Sequence, residues 1–422
     1  MKCPQYFLPA DILLPDFSAC DGRKWATVAC DQFTSEPEYW EKVAAYVGDA
    51  PSTLKMMIPE AYLSETQARL PVVHATMEHY LETVLKTYQN AMLYVERTQS
   101  DGKIRRGIVG LVDLENYDYC KGASSLIRAT EGTVLERIPP RVAIRRGAAL
   151  EMPHIMLLID DAEKSVIEPL IEAKRTSSRA YDFDLMMGGG HIAGTFLTDK
   201  EIRQVNEALA QLATCEHMRQ CYGAEKAAPL LFAVGDGNHS LASAKAAYEE
   251  LKKQWGKEQA EHSPARYALA EIVNLHDSAL AFEPIYRVVC GVKAEQLADA
   301  LQTYAEALTG TAAPQKVKML YNGCEKTIVF PKPEQQLTVG TLQVFLDEYG
   351  KANPGCTIDY IHGEDSLRHL SEKEGAVGFL FDGIKKEELF RTVIFDGALP
   401  RKAFSMGHAQ DKRYYLESRK IK

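Results

Sequence analysis

The sequence predicts an α/β protein of the mixed α+β kind, with a mixed-sheet core and a smaller C-terminal α+β part. Three observations lead there. Apolar runs of strand length recur at 107–114, 154–159 and 230–234, each bounded by charged or turn-forming residues. The last run passes through Gly235-Asp236-Gly237 into a helical pattern with Leu241, Ala244, Tyr248, Leu251 and Trp255 on one stripe. The composition, 46% apolar and 25% charged over 422 residues, is that of a globular chain long enough for two or three packed subdomains.

Taken in order, a helical stretch covers about 65–94, and the buried strand at 107–114 follows it. Asp160 and Asp161 close the strand at 154–159; acids there can bind a metal, although capping the next element is the simpler reading. Tyr181, Phe183 and Leu185 alternate with Asp182 and Asp184, and after Gly188-Gly189-Gly190 an extended piece runs over 191–197, which predicts a hairpin. The triple glycine is a flexible turn, since no Gly-Lys-Ser/Thr follows it. Thr198 and Glu201 have capping-box spacing for a helix over 201–213. The polar stretch 252–263 reads as a solvated loop, 267–275 and 285–289 as core segments. A helix over 294–308 and strands at 319–321, 327–330 and 377–381 form the C-terminal part. We therefore divide the chain into a core region, 1–291, and a C-terminal subdomain, 292–422.

The net charge of −9 argues against a general nucleic-acid binder, because backbone binding needs clustered Lys and Arg. No stretch approaches a membrane span and the first residues carry no apolar run, so a cytoplasmic location is expected. Nine cysteines without paired spacings are expected to be reduced. Cys30 could be a nucleophile, but a small buried thiol is the simpler reading. There is no His-Glu-x-x-His, Cys-x-x-Cys or Gly-x-Ser-x-Gly, which removes the common zinc and hydrolase templates.

Chemistry concentrates at the turn 235–240. A helix that starts directly after a glycine turn leaves its first amides unpaired and its positive dipole end exposed, which suits an anion. Gly235 and Gly237 let the backbone approach it. Asn238, His239 and Ser240 add more polarity than one cap needs; an Asn or Ser cap with an incidental histidine is the plainer alternative. The pattern Gly235-x-Gly237-x-x-Ser240 nearly matches a dinucleotide fingerprint, but the acids about twenty residues on, Glu258 and Glu261, follow no strand. A second constellation holds Arg128, Glu131, Arg137 and Arg141, with Arg145 and Arg146 behind. Arginine forks suit phosphates and a nearby carboxylate suits a base or a metal, against the alternative of a solvated basic loop. A third is the tail from Pro400, rich in aromatic and basic residues, which is expected to pack onto the body.

At these residues the chain resembles the bacterial and archaeal family called domain of unknown function 1015. The resemblance covers nearly the whole chain. It rests on Val28-Ala29-Cys30-Asp31-Gln32-Phe33-Thr34-Ser35-Glu36-Pro37, the segment 128–141, Val234-Gly235-Asp236-Gly237-Asn238-His239-Ser240-Leu241-Ala242, Ala265-Arg266-Tyr267-Ala268, Asp359-Tyr360-Ile361-His362-Gly363, and Phe404-Ser405-Met406-Gly407 with Lys412-Arg413-Tyr414-Tyr415. Asp236-Gly237-Asn238-His239 is similar to the turn of a wider superfamily with sulfiredoxin, ParB-like domains and free-serine kinases. In that group an Asp-Gly-x-His-Arg turn holds nucleotide phosphates at a helix start; here Ser240 stands where arginine is usual.

The resemblance implies a ParB/sulfiredoxin-like phosphate site and a nucleotide-dependent phosphotransferase acting on a small hydroxyl metabolite, serine or phosphoserine first. It implies ATP or ADP and Mg²⁺. Asp236, Gly237, Asn238, His239 and Ser240 would hold phosphate, Arg128, Arg137 and Arg141 would clamp it, and Glu131, Asp31 and His239 would do the chemistry. The rival reading is a nucleotide-binding regulatory protein that binds without turnover.

Overall fold

A computed structural model describes residues 5–133, 135–224 and 227–422. It is a mixed α+β fold, as the strand runs and helix stripes predict. The chain divides into two compact units. One holds Met1–Ala129, Thr133–Leu280 and His408–Lys422, the other Thr130–Gly132 and Ala281–Gly407.

The first unit is built on a nine-stranded sheet. Across it the strands run Tyr181–Asp184, His191–Phe196, Leu93–Thr98, Ile104–Asp113, Tyr267–Asn274, Met156–Ile159, Phe232–Asp236, Ile127–Ala129 and Tyr117–Asp118. Five neighbouring pairs are antiparallel and three parallel, so the sheet is mixed. Its central strands read as continuous apolar runs, and they are buried: Leu157, Leu158, Ile159, Ala233, Val234, Ile272 and Val273 are all inaccessible to water. The expected hairpin pairs Tyr181 with Gly194 and Asp184 with His191. The capping box forms as its spacing requires: the Thr198 hydroxyl accepts from the Glu201 amide, and the Glu201 carboxylate accepts from the Thr198 amide, at the start of the helix Asp199–Leu212.

Two expectations need correction. The helix expected over 65–94 is Thr66–Thr83 only; the chain then runs as strands Leu85–Ala91 and Leu93–Thr98. The first of these pairs with Ala10–Pro15, seventy or more residues back, a partner that local periodicity does not encode. The stretch 252–263 is not a loop. The helix Asn238–Trp255 continues through Lys252 and Lys253, whose charges favour its C-terminal end, and after Gly256 (φ +83°) a short helix Lys257–Glu261 follows.

The tail does pack onto the body. Tyr414–Tyr415 pairs with Thr27–Val28, and Arg419–Lys420 with Leu150–Glu151. Arg413 is buried between Glu271 (2.5 Å) and Glu417 (2.6 Å), and Glu417 also accepts from the Tyr181 hydroxyl at 2.6 Å. Arg419 donates to Glu151 at 2.6 Å. Buried charges persist only when paired and hydrogen-bonded, so these residues tie the last fifteen residues into the first unit.

The second unit has an antiparallel sheet in the order Cys324–Phe330, Gln315–Tyr321, Ala376–Leu380, Phe282–Cys290, Thr357–His362, with Phe404–Met406 on the end of Phe282–Cys290. Among the described residues no helix is long and apolar enough to cross a membrane, and the cysteines are free thiols.

Candidate functional site

Asp236 ends its strand and Asn238 begins the helix; the single residue between them, Gly237, sits at φ +79°. A Cβ there would stand 3.0 Å from the Ile155 backbone, so both the left-handed conformation and the close approach call for glycine. Asp236 accepts from the Gly237 amide at 2.9 Å, which fixes the turn, and its other oxygen is 3.3 Å from Lys412 Nζ. Asn238 is buried and His239 half-buried, both on the first helical turn. Ser240 and Ser243, three apart and so on one face, line a cavity of about 160 Å³.

The same cavity is lined by Cys30, Glu60, Arg141, His154 and Tyr415. These charged and polar groups are linked. His154 Nε2 is 3.4 Å from the Asp31 carboxylate, and Nδ1 is 3.0 Å from the Tyr415 hydroxyl. Tyr415 in turn donates to the Cys30 sulfur at 3.1 Å. An imidazolium at His154 would donate from Nδ1 to the phenol oxygen and from Nε2 to Asp31. Arg141 pairs with Glu60.

Electrostatics agree with that pattern. Burial pushes the His154 pKa down, but the Asp31 charge and hydrogen bond, with Asp236 and Glu60 adding, raise it above the ordinary 6.5. Burial pushes Asp31 up, yet His154, the Gln32 amide and Lys412 together hold it below the usual carboxylate range. Burial, with the Asp31 charge, pushes the Cys30 thiol up to about 12, so Cys30 is a neutral thiol and the nucleophile reading loses its basis.

The structure therefore brings Asp31, Asp236, Gly237, Asn238, His239, Ser240 and Arg141 into one region of the first unit. It turns Nε and Nη2 of Arg128 toward backbone carbonyls. That side chain is buried on the strand Ile127–Ala129 and donates to the carbonyls of Ser125, Ala228 and Pro229. Glu131 belongs to the second unit, where it bridges to Leu399, and is not among the cavity residues. The Arg137 side chain lies outside the described part of the structure. Asp160 and Asp161 serve structural roles: Asp160 meets His276 at 2.6 Å and the Tyr222 hydroxyl, and Asp161 accepts from the Val166 amide at 2.8 Å.

Sequence reasoning missed His154, Glu60 and Lys412. His154 directly precedes an apolar strand and Lys412 stands in a basic tail motif, which were the available signals; Glu60 carried none. Among the described residues no three His, Cys, Asp or Glu side chains gather as a metal cage. Mg²⁺ needs no such cage, because it keeps several waters and is held by one or two carboxylates plus substrate phosphates. Asp31 and Asp236 are oxygen donors of that type.

Fold and site together define a mixed α+β protein with a glycine-hinged strand-turn-helix beside a charged cavity. The chain belongs to the protein family of unknown function DUF1015, whose family model matches residues 16–349. No curated protein matches it. Solved structures to which it is similar include a free serine kinase in complex with AMP (11% identity, 74% of this chain and 90% of that one, TM-score 0.35). Others are a variant free serine kinase in complex with ADP (11%, 76% and 93%, TM-score 0.37) and a conserved hypothetical protein from Pyrococcus furiosus (11%, 74% and 94%, TM-score 0.34).

Proposed function

We propose that the chain is a nucleotide-dependent phosphotransferase acting on a small hydroxyl metabolite, with the phosphate at the turn 236–240 and the hydroxyl beside Asp31. The observation that carries this reading is the juxtaposition of a helix start opened by left-handed Gly237, whose Ser240 lines the cavity, with His154 on the same cavity and Asp31 behind it at 3.4 Å. Phosphoryl transfer asks mainly for positioning and charge neutralisation. The helix amides, Asn238, His239 and Ser240 supply donors for phosphate oxygens. Arg141 and Lys412 supply positive charge once a phosphate competes with Glu60 and Asp236 for them. Asp31, held ionised, is suited to orient the hydroxyl by accepting a hydrogen bond from it, while His154, braced by Tyr415, fixes the carboxylate.

ATP or ADP and Mg²⁺ are the cofactors of this reading. Asp31 and Asp236 would hold the metal, which neutralises phosphate charge when bound. Serine or phosphoserine is the first substrate to try, on the family resemblance. The experiment is a phosphate-exchange assay with nucleotide, Mg²⁺ and a panel of hydroxy metabolites and their phosphates, alongside thermal shift with nucleotide alone. Turnover of at least one pair is expected. Nucleotide stabilisation without turnover would replace this reading with a regulatory nucleotide-binding protein.

A further inference from the structure

The cavity beside the turn is walled as much by thioethers and aliphatic carbon as by charge. Met56, Met57, Ile58, Met77, Ile144 and Met152 line it, from four separate stretches of the first unit. All but Ile144 are at least nine-tenths buried, so they form a packed wall. A serine molecule has one side-chain carbon and two charged groups. Against this wall it would give up hydration of its charges and gain no matching apolar contact.

The volume fits something else. About 160 Å³ is close to the size of an apolar cavity that accepts a benzene ring. Methionine walls are unbranched and polarisable, and adapt their shape to an occupant. The polar lining includes Glu60, Arg141, His154, Ser240 and the mutually paired Arg145 and Glu151, and leaves one part of the occupant polar. We infer that the hydroxyl substrate carries an apolar group of up to about six carbons, which the methionine wall recognises. The hydroxyl part of this statement rests on the phosphotransferase reading; the apolar part rests on the cavity alone.

A series of 3-hydroxy amino acids tests it, because the head group stays constant while the apolar substituent grows: serine, threonine, 3-hydroxynorvaline, 3-hydroxyleucine, 3-phenylserine. Affinity is measured by calorimetry on the full chain with ADP and Mg²⁺, and phosphate transfer is followed separately with ATP. Affinity should rise about three- to fourfold per added methylene until the cavity is full. Met152→Gln should flatten the series and Met152→Leu, of similar volume, should keep it, with melting curves showing both folded. A flat or falling series, or no binding by any member, overturns the inference. If serine is phosphorylated while the series is flat, the inference fails and the phosphotransferase reading stands. A rising series without phosphate transfer supports the cavity assignment and removes the reading.

Discussion

Replacing His154 with Gln tests whether the group facing Asp31 is a cation. The imidazole is buried, 3.4 Å from the Asp31 carboxylate and 3.0 Å from the Tyr415 hydroxyl, and glutamine can replace hydrogen bonds there but not charge. What is lost is the attraction between the two charges. Asp31 keeps 30% of its side-chain surface, so water screens the pair and about 0.2–1 kcal/mol applies. The pH dependence has a definite sign. His154 has a folded pKa above 6.5, so its contribution is complete below about pH 6.5 and is lost as pH rises through the folded value. Asp31 has a folded pKa below 3.8, so its contribution is present above that pH and is lost as pH falls through the folded value. The gap between the wild type and His154→Gln should therefore be widest between about pH 4 and 6.5 and should close on the alkaline side. Equilibrium urea unfolding of both proteins at about pH 5.5, 7 and 9 measures it. A gap that is constant, or that widens with pH, would refute an imidazolium facing Asp31.

Two further expectations concern the frame of the site. Arg413→Met leaves Glu417 buried without its cation and Glu271 with only Arg105 at 3.8 Å, and should cost about 3–5 kcal/mol in urea unfolding; a loss under about 1 kcal/mol would mean that the tail is not held by this triad. Gly237→Ala forces a side chain into φ +79° and against the Ile155 backbone, for about 1–3 kcal/mol. It should also weaken nucleotide binding, measured by calorimetry; unchanged stability and affinity together would show that the turn does not need its left-handed hinge.

How much of this was legible depended on whether the cause was local. The strand, glycine turn and striped helix over 230–255 have local causes: an apolar run, a residue that tolerates positive φ and a 3.6-residue period. The Thr198–Glu201 box is local too, and it forms at its predicted place. Leu85–Ala91 was hidden because it becomes a strand only by pairing with Ala10–Pro15. Lys257–Glu261 was hidden because its polar residues resemble a loop until Gly256 restarts the helix. In the site, Asp31 and the turn stood out as motifs. His154, Glu60 and Lys412 did not, since their meaning lies in meeting Asp31, Arg141 and Asp236 from distant stretches of chain. Arg128 shows the converse: arginine suits phosphate in general, yet here three backbone carbonyls take its Nε and Nη2 donors.

The central claim is that the turn 236–240 holds a nucleotide's phosphate, and the most direct test is calorimetry of ATP and ADP, with Mg²⁺, on the wild type and His239→Ala. His239 lies half-buried on the first turn of its helix, so its removal should leave the melting temperature nearly unchanged. Losing a hydrogen bond to a charged group should weaken nucleotide binding about ten- to a hundredfold. Wild-type affinity in the variant, or a lowered melting temperature with affinity per folded molecule intact, would contradict the claim and leave the turn as a structural hinge.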